Sequence, residues 1–189
     1  KKEKTNILPN FTKRSRAYLE IQNGCNHSCT FCIIPQGRGL SKSVPMDTIL
    51  EKIRNLVHKG FKEIVLTGVD ITCWGSDIAG NDKLGDLVNK ILNETPDLPR
   101  LRLSSLDVSE MDDSLLHVFK TNKRMMPHLH LSLQSGNNLI LKRMKRRHSR
   151  EQAIDLCRKL KAVRPELTFG ADLIAGFPTE SDTMFLDTI

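Results

Sequence analysis

The segment NGCNHSCTFCIIPQGRG (residues 23–39) holds three of the five cysteines in this chain of 189 residues, at the spacing C-x3-C-x2-C. The segment before it, AYLEIQNG (residues 17–24), alternates apolar and polar residues and ends at a glycine, which predicts a β-strand leading into a cysteine loop. A disulfide uses two cysteines, and a structural zinc ion is usually held by four ligands. Neither arrangement accounts for three cysteines in one loop.

Strand-like and helix-like segments alternate along the rest of the chain. The predicted strands are residues 17–24, 62–68, 100–106, 128–136 and 167–178. The predicted helices, with apolar residues at helical spacing, are residues 46–60, 83–94, 112–122 and 149–165, and another begins after Pro178. Five β-α units in succession predict an α/β fold with a parallel sheet and right-handed crossovers. The sheet is either part of a (β/α) barrel of the TIM type or an open doubly wound sheet.

Polar and turn residues follow each predicted strand. Both architectures bring the carboxyl ends of their strands to one side, where binding sites form. The cysteine loop follows the first strand, and the other tips are TGVDIT (residues 67–72), SSLD (104–107), QSGNN (134–138) and AGFPTE (175–180). We therefore expect the five tips to form one ligand-binding rim.

The charge of the chain indicates a polyanionic partner. The net charge is +7 and the sequence pI about 9.3, and six lysines and arginines fall within the ten residues LKRMKRRHSR (141–150). Such a run is either a solvated helix face or a contact for a nucleic acid backbone. Aromatic residues make up only 5% of the chain, which disfavours a base-stacking platform.

The remaining composition indicates a cytoplasmic protein that does not span a membrane. No apolar run approaches the roughly 20 residues that a membrane-spanning helix needs. Five cysteines without an export signal fit a reducing compartment better than a disulfide scaffold. Cys73 and Cys157 are expected to be free thiols.

Three explanations of the cysteine loop can be compared. A zinc ion could take His27 as its fourth ligand, but His27 lies only two residues from Cys25 and from Cys29, and no second C-x2-C pair is present. Buried thiols have no reason to share this spacing. A 4Fe–4S cluster normally takes a cysteine at each of four irons, so three cysteines leave one iron open for a ligand. The number three thus favours a cluster that takes part in chemistry.

The C-x3-C-x2-C spacing, with Phe31 directly before the last cysteine, resembles the radical S-adenosylmethionine enzymes. The resemblance implies that Cys25, Cys29 and Cys32 hold a 4Fe–4S cluster and that its open iron binds the amino and carboxylate groups of S-adenosylmethionine. One-electron reduction would then cleave that cofactor to a radical. The family fold is a partial or full β/α barrel, which here would have about five β-α units and lack the sixth strand.

The order of several segments narrows the resemblance to the methylthiotransferase branch of that family. These segments are GCNHSCTFCIIPQGRG, KEIVLTGVDIT, LRLSSLD, HLHLSLQSG, LKRMKRRHS and DLIAGFPTE. TGVDIT and LSSLD are similar to the subgroup that acts on threonylcarbamoyladenosine of tRNA, beside the anticodon. The alternatives are the subgroups for isopentenyladenosine in tRNA or for a ribosomal-protein aspartate, and a zinc-containing RNA-binding module that is not an enzyme.

The resemblance also assigns residues to S-adenosylmethionine. Thr67, Gly68 and Val69 correspond to the motif near its amino group. Ser132 and Gln134 correspond to the site near its ribose and methionine parts, and Ile174 and Gly176 to the site near adenine. Arg146, or else Arg143, could pair with the carboxylate. Phe31 completes the predicted set beside the cluster.

Both ends of the chain are expected to have been cut from a longer protein. Residues 1–16 would be a basic linker from an N-terminal domain that carries a second 4Fe–4S cluster, and residues 17–189 a core truncated at its C-terminus. A C-terminal RNA-binding domain is also expected in the parent protein. The resemblance implies tRNA as a partner, together with an electron donor such as flavodoxin or ferredoxin. The isolated core is not expected to complete the reaction.

Overall fold

The computed structural model of the chain describes residues 15–189, so the predicted linker at 1–16 lies outside the described residues except at its end. The strands are β1 Arg16–Glu20, β2 Gln22–Asn23, β3 Lys42–Ser43, β4 Glu63–Thr67, β5 Arg100–Leu103, β6 Ser105–Leu106, β7 His128–Gln134 and β8 Thr168–Leu173. The helices are α1 Ile34–Arg38, α2 Met46–His58, α3 Leu84–Glu94, α4 Asp113–Thr121, α5 Asn138–Arg143, α6 Arg150–Val163 and α7 Asp182–Leu186. Each predicted helix is confirmed within a few residues, whereas the strand predicted at 167–178 ends at Leu173 and the first and third predicted strands are each interrupted.

The long strands are parallel and follow one another in chain order. One sheet has the order β1-β4-β5 and a second has the order β6-β7-β8, with parallel pairing throughout. The predicted third strand is interrupted at Ser104, and its two halves, β5 and β6, belong to different sheets. Within residues 15–189, β1 and β8 do not pair with each other, so the described strands form no closed barrel. The parallel direction brings the carboxyl ends of these strands to one side.

A short antiparallel pair encloses the cysteine loop. The sequence predicted one strand through residue 24, but β1 ends at Glu20, and Gln22 and Asn23 pair instead with Ser43 and Lys42. The backbone N–H of Cys25 donates to the carbonyl oxygen of Gly39 at 3.1 Å, which closes the loop beyond this pair. The loop also contains α1, which the sequence did not predict.

The core is built from apolar faces that the helical and strand periodicities predict. In β4, the four residues Glu63 to Leu66 are all buried, as expected for a central parallel strand. Helix α2 buries Ile49, Leu50 and Ile53, which recur at helical spacing along one face. In the part of the chain that the structure describes, no helix is both long and apolar enough to cross a bilayer.

Glu63 is a carboxylate buried at the start of the central strand β4, where three arginines surround it. Its side chain pairs with Arg16 of β1 at 2.8 Å, Arg100 of β5 at 3.1 Å and Arg102 of β5 at 2.7 Å. Burial alone would raise the pKa of Glu63, but hydrogen bonds and charge from these arginines outweigh it and hold the pKa below the ordinary value of 4.5. The carboxylate therefore connects three parallel strands while it is ionised.

Substituting Glu63→Gln is expected to lower the free energy of unfolding by about 1–3 kcal/mol at neutral pH, because charge-assisted hydrogen bonds contribute on that order. A carboxyl with a lowered folded pKa stabilises the fold above its ordinary pKa, and this contribution is lost as pH falls through the folded pKa. Urea denaturation of both proteins at about pH 7 and about pH 3.5 measures the difference. A difference that stays constant across this range would contradict the assignment.

Candidate functional site

The three loop cysteines are free thiols held in a half-buried loop at the strand tips. Cys25, Cys29 and Cys32 are each partly exposed, and none is in a disulfide. The backbone N–H of Cys32 donates to the carbonyl oxygen of Cys29 at 3.1 Å, so these two residues share one turn. The N–H and hydroxyl of Thr30 donate to the carbonyl oxygens of Met144 and Arg143, at 3.2 Å and 3.0 Å. The loop is thereby attached to the end of α5.

Hydrogen-bond donors point at two of the three sulfurs. The backbone N–H of His27 donates to Sγ of Cys25 at 3.4 Å, and Nη1 of Arg146 lies 3.7 Å from Sγ of Cys29. Burial raises the pKa of the Cys25 thiol, as do the charge of Asp70 and the neighbouring cysteines, whereas the His27 N–H opposes this. Donors to sulfur are typical of iron–sulfur sites, where they stabilise thiolate ligands and set the reduction potential. The donor set therefore fits a 4Fe–4S cluster.

The side-chain amide of Gln22 connects the cysteine loop to the tip of β4. Gln22 is fully buried, and its Nε2 donates to the carbonyl oxygen of Gly24 at 2.7 Å and to Oγ of Ser41 at 2.9 Å. Its Oε1 accepts from the backbone N–H groups of Val69 at 3.0 Å and Asp70 at 2.8 Å. The amide nitrogen of Gln22 therefore bonds to the cysteine loop, and its amide oxygen bonds to the residues after β4.

The predicted residues Thr67, Gly68 and Val69 lie at this junction. Thr67 is the last residue of β4, and Gly68 and Val69 follow it beside the amide of Gln22. A Cβ added at Gly68 would lie 2.6 Å from the carbonyl oxygen of Gln22 and 2.7 Å from Cγ2 of Ile71. Glycine is required there because the two loops approach each other closely at that point.

Arg146 joins three tips of the rim. Its Nη2 donates to Asp107 at 2.8 Å and to the carbonyl oxygen of Ser132 at 2.6 Å, while its Nη1 faces Cys29. The Arg146 and Asp107 side chains are only 7% and 6% exposed, so this ion pair is buried. Burial alone would raise the pKa of Asp107, but the Ser109 hydrogen bonds and the Arg146 charge hold it below the ordinary value. The predicted residues Ser132 and Arg146 are therefore next to each other and to the cysteine loop.

The ends of β7 and β8 hold the other predicted cofactor residues. Gln134 has a φ of +71°, and the pairing of β7 with β8 becomes irregular between Leu131 and Gln134. A left-handed conformation of a residue other than glycine is uncommon and is often found at functional sites. The N–H of Ile174 donates to the carbonyl oxygen of Gln134 at 2.9 Å. At Gly176 no atom lies within 4 Å of the position a Cβ would take, so this backbone is open to a ligand.

Phe31 and the basic run occupy exposed positions. Phe31 is 40% exposed, so its ring is available beside the loop. The run 141–150 is not one helix face, because α5 ends at Arg143 and α6 begins at Arg150. Lys142, Arg143, Lys145 and Arg150 are exposed, whereas the guanidinium of Arg147 reaches Glu110 and Asp107. Part of the run thus serves the site, and the rest faces solvent.

His27 does not face the loop cysteines as a fourth zinc ligand would. Its Nε2 lies 2.8 Å from Oδ2 of Asp70, 3.7 Å from Sγ of Cys73 and 3.5 Å from Oε1 of Glu110. Among residues 15–189, the group of metal-ligating side chains that converges within 4.8 Å is His27, Asp70, Cys73 and Glu110, without the loop cysteines. The geometry does not support zinc in the cysteine loop.

The sequence did not single out several residues that form the site. Gln22, Asp70, Asp107, Glu110 and Arg147 all contact predicted residues or one another. Asp70 and Asp107 stand in the tips TGVDIT and SSLD, so their strand-end position was a usable signal. No local pattern distinguishes Gln22 or Glu110, because their partners come from other loops.

Comparison with known proteins identifies the family and several relatives. Residues 19–189 match the Radical SAM superfamily. The chain is 52% identical over 182 residues to the threonylcarbamoyladenosine tRNA methylthiotransferase MtaB of Rickettsia prowazekii, covering 96% of this chain and 43% of that protein. It is 39% identical over 181 residues to MtaB of Bacillus subtilis, covering 96% and 40%. The tRNA-2-methylthio-N(6)-dimethylallyladenosine synthase of Shouchella clausii is 38% identical over 176 residues, covering 93% and 34%. The chain thus spans less than half the length of these relatives.

Solved structures share the fold at low sequence identity. The radical S-adenosylmethionine methyltransferase TsrM of Kitasatospora setae, with tryptophan and a cofactor analogue bound, superposes with a TM-score of 0.71 and 16% identity. The match covers 89% of this chain and 32% of that one. The cobalamin-dependent radical enzyme OxsB gives a TM-score of 0.70 at 15% identity, covering 90% and 25%. With its cysteine loop, its parallel strand order and the match over residues 19–189, this chain belongs to the radical SAM superfamily.

Proposed function

We propose that this chain is the radical SAM core of a tRNA methylthiotransferase, a transferase of sulfur-containing groups that modifies threonylcarbamoyladenosine beside the anticodon. The observation that carries the proposal is the 52% identity to the Rickettsia prowazekii enzyme across 96% of the chain. Two dimethylallyladenosine synthases, those of Shouchella clausii and Halalkalibacterium halodurans, are each 38% identical to the chain. Other MtaB relatives are only 37–40% identical, so identity to them does not distinguish the threonylcarbamoyladenosine subgroup from the dimethylallyladenosine subgroup. The tips TGVDIT and LSSLD also support the threonylcarbamoyladenosine subgroup.

Membership of the family implies a 4Fe–4S cluster and S-adenosylmethionine. Cys25, Cys29 and Cys32 would hold the cluster, and the donors at two of their sulfurs favour thiolate ligands. The bound cofactors supply the one-electron chemistry that starts the reaction. The part of the protein is to bind and orient them and to exclude water.

The rim residues divide the remaining binding tasks. Thr67, Gly68 and Val69 would lie near the cofactor amino group, where the Thr67 hydroxyl and backbone carbonyls can accept hydrogen bonds. Ser132 and Gln134 would lie near the ribose and methionine parts. Arg146 is the proposed partner of the carboxylate, and its links to Cys29 and Asp107 would hold the guanidinium in place for it.

The last strand would receive the adenine. Ile174 offers a partly buried apolar surface, and the open backbone at Gly176 permits close approach of a flat ring. Phe31 would cover the cluster from the solvent side. The exposed basic side chains of Lys142, Arg143, Lys145 and Arg150 would contact the tRNA backbone.

The proposal also concerns the parent protein. The parallel strand order supports a partial (β/α) barrel of about five β-α units. An N-terminal domain attached through the linker at residues 1–16 would carry the second 4Fe–4S cluster, and a C-terminal domain would bind RNA. An electron donor such as flavodoxin or ferredoxin would reduce the first cluster. A tRNA substrate implies a cytoplasmic enzyme.

Anaerobic reconstitution with ferrous iron and sulfide is expected to load about four irons per chain. The product should be brown and its absorbance should change when S-adenosylmethionine is added. Alanine at Cys25, Cys29 or Cys32 should abolish or sharply reduce iron retention, whereas the matched control Cys157→Ser on α6 should retain it. A colourless protein that holds stoichiometric zinc at these three cysteines would contradict the proposal.

The substitution Gln22→Met is expected to weaken the cluster site without altering any cysteine. It removes the acceptor of the Val69 and Asp70 N–H groups, and an unsatisfied buried donor costs about 1–3 kcal/mol. Iron content after desalting and the thermal midpoint should both fall. The control Gln36→Met changes an exposed glutamine in α1 of the same loop and should leave both unchanged. Equal iron retention in the two variants would show that Gln22 does not position the loop.

Mass spectrometry of tRNA nucleosides tests the substrate. Cells that lack the parent gene should lose the methylthio form of threonylcarbamoyladenosine and accumulate the unmodified nucleoside. The full-length gene should restore it, and the same gene with Cys29→Ala should not. Persistence of the methylthio form in the deletion strain would refute this substrate, and loss of methylthio-isopentenyladenosine instead would favour the other tRNA subgroup.

A further inference from the structure

A second group of potential metal ligands lies beside the cysteine loop, outside the set proposed for the cluster. It consists of His27, Asp70, Cys73 and Glu110, each of which can offer one ligand atom, and these atoms all lie within 4.8 Å of one another. They come from three separate segments: the cysteine loop, the turn Ile71–Cys73 with the residue before it, and the end of the turn Val108–Glu110. None of these side chains has a task in the proposed function.

The separations between these atoms are near those of a tetrahedral metal site. Nε2 of His27 lies 2.8 Å from Asp70 Oδ2, 3.5 Å from Glu110 Oε1 and 3.7 Å from Cys73 Sγ. Sγ of Cys73 lies 3.1 Å and 3.2 Å from the two Glu110 oxygens. A tetrahedral zinc ion with nitrogen, oxygen and sulfur ligands holds neighbouring ligand atoms about 3.3–3.6 Å apart. The five measured separations, 2.8–3.7 Å, bracket this range, so the ligand atoms would have to shift to surround one ion.

The charges around the group leave room for one more cation. Arg146 and Arg147 pair with Asp107, and Arg147 also pairs with Glu110. In the described part of the chain, Asp70 is only 9% exposed and has no lysine or arginine within ion-pair distance; its carboxylate contacts the His27 ring at 2.8 Å, the Thr72 hydroxyl at 3.0 Å and the Cys25 thiol at 3.8 Å. A buried carboxylate without a matching cation is costly, so the site is electrostatically suited to a divalent ion.

The donor types narrow the choice of ion. One imidazole, one thiolate and two carboxylates suit zinc, which accepts nitrogen, sulfur and oxygen ligands in tetrahedral geometry. Magnesium and calcium prefer oxygen ligands alone. Burial and the neighbouring carboxylates raise the pKa of the Cys73 thiol well above its ordinary value, so binding of an ion would have to displace its proton.

We propose that His27, Asp70, Cys73 and Glu110 form a structural zinc site that joins the cysteine loop to two neighbouring strand tips. His27 lies between Cys25 and Cys29, so an ion bound to its ring holds the middle of the cluster loop. The ion adds a cross-link to the hydrogen bonds that already join these segments, and the loop then keeps its position when the iron–sulfur cluster is absent. This site shares no ligand with the proposed cluster, although Oδ2 of Asp70 lies 3.8 Å from Sγ of Cys25, and it does not depend on the assigned substrate.

The test uses the whole 189-residue chain with Cys25, Cys29 and Cys32 all changed to alanine, so that the loop cysteines cannot bind metal. After treatment with a chelator, this background protein is expected to bind about one zinc per chain by calorimetry and to melt at a higher temperature with zinc than without it. Cobalt(II) used as a probe should produce thiolate-to-metal charge-transfer absorption. Adding Cys73→Ser to the background should remove that absorption and lower zinc affinity by more than about 100-fold, because even partners outside the first shell contribute 10–100-fold.

The matched control adds Cys157→Ser to the same background and should keep the full zinc affinity and the cobalt absorption. A second variant, Glu110→Gln, keeps the size of the side chain and should weaken zinc binding at least about 10-fold. Circular dichroism before metal addition establishes whether each variant is folded. If the Cys73→Ser variant is unfolded, the Glu110→Gln variant alone tests the zinc site. Failure of the background protein to bind zinc, or equal affinity in the Cys73 and Cys157 variants, would overturn the proposal and would indicate a group held by hydrogen bonds only.

Discussion

The buried amide of Gln22 is the contact on which the geometry of the site depends. Its nitrogen donates to the segments that begin and end the cysteine loop, and its oxygen accepts from the tip of the central strand β4. A buried amide whose donors and acceptor are all satisfied stabilises its position, because the loss of any partner leaves a desolvated polar group without a hydrogen bond. The amide therefore couples the position of the cysteines to that of Gly68 and Val69.

Charged groups extend this coupling around the rim. Arg146 contacts Cys29, Asp107 and Ser132, and so connects the loop after β1 with the tips of β6 and β7. Arg147 continues the network to Glu110. Because these groups are largely withdrawn from water, their interactions are strong and their positions well defined. A loop rich in thiols can thus be held in one arrangement although it has little regular structure of its own.

The shared fold and the particular site answer different questions. TsrM and OxsB have the same arrangement of strands at 15–16% identity, so the fold alone indicates only the superfamily. The parallel strands bring five tips to one side, and the residues at the tips decide what is bound there. In this chain the tips combine three thiols, a buried arginine–aspartate pair and a mixed histidine, cysteine and carboxylate group.

Much of the architecture could be predicted from local pattern. The alternation in residues 17–24 and 128–136, the helical spacing in 46–60 and 149–165, and the cysteine spacing are properties of short segments, so the sequence predicted the α/β fold class and suggested the proposed cluster ligands. The break at Ser104 could not be predicted from the sequence, because a strand changes sheets through curvature that no local residue type dictates. The left-handed backbone conformation of Gln134 could not be predicted either, because an alternating apolar and polar pattern carries no information about it.

The sequence by itself determined the order of strands and helices, the rim of polar tips and the identity of the three loop cysteines. The tertiary structure alone decided which side chains meet at that rim. It brought the His27 ring to Asp70, Cys73 and Glu110, and it enclosed Gln22 between two loops. The physical reason is that these contacts join residues far apart along the chain, and they form only when parallel strands bring their carboxyl ends together.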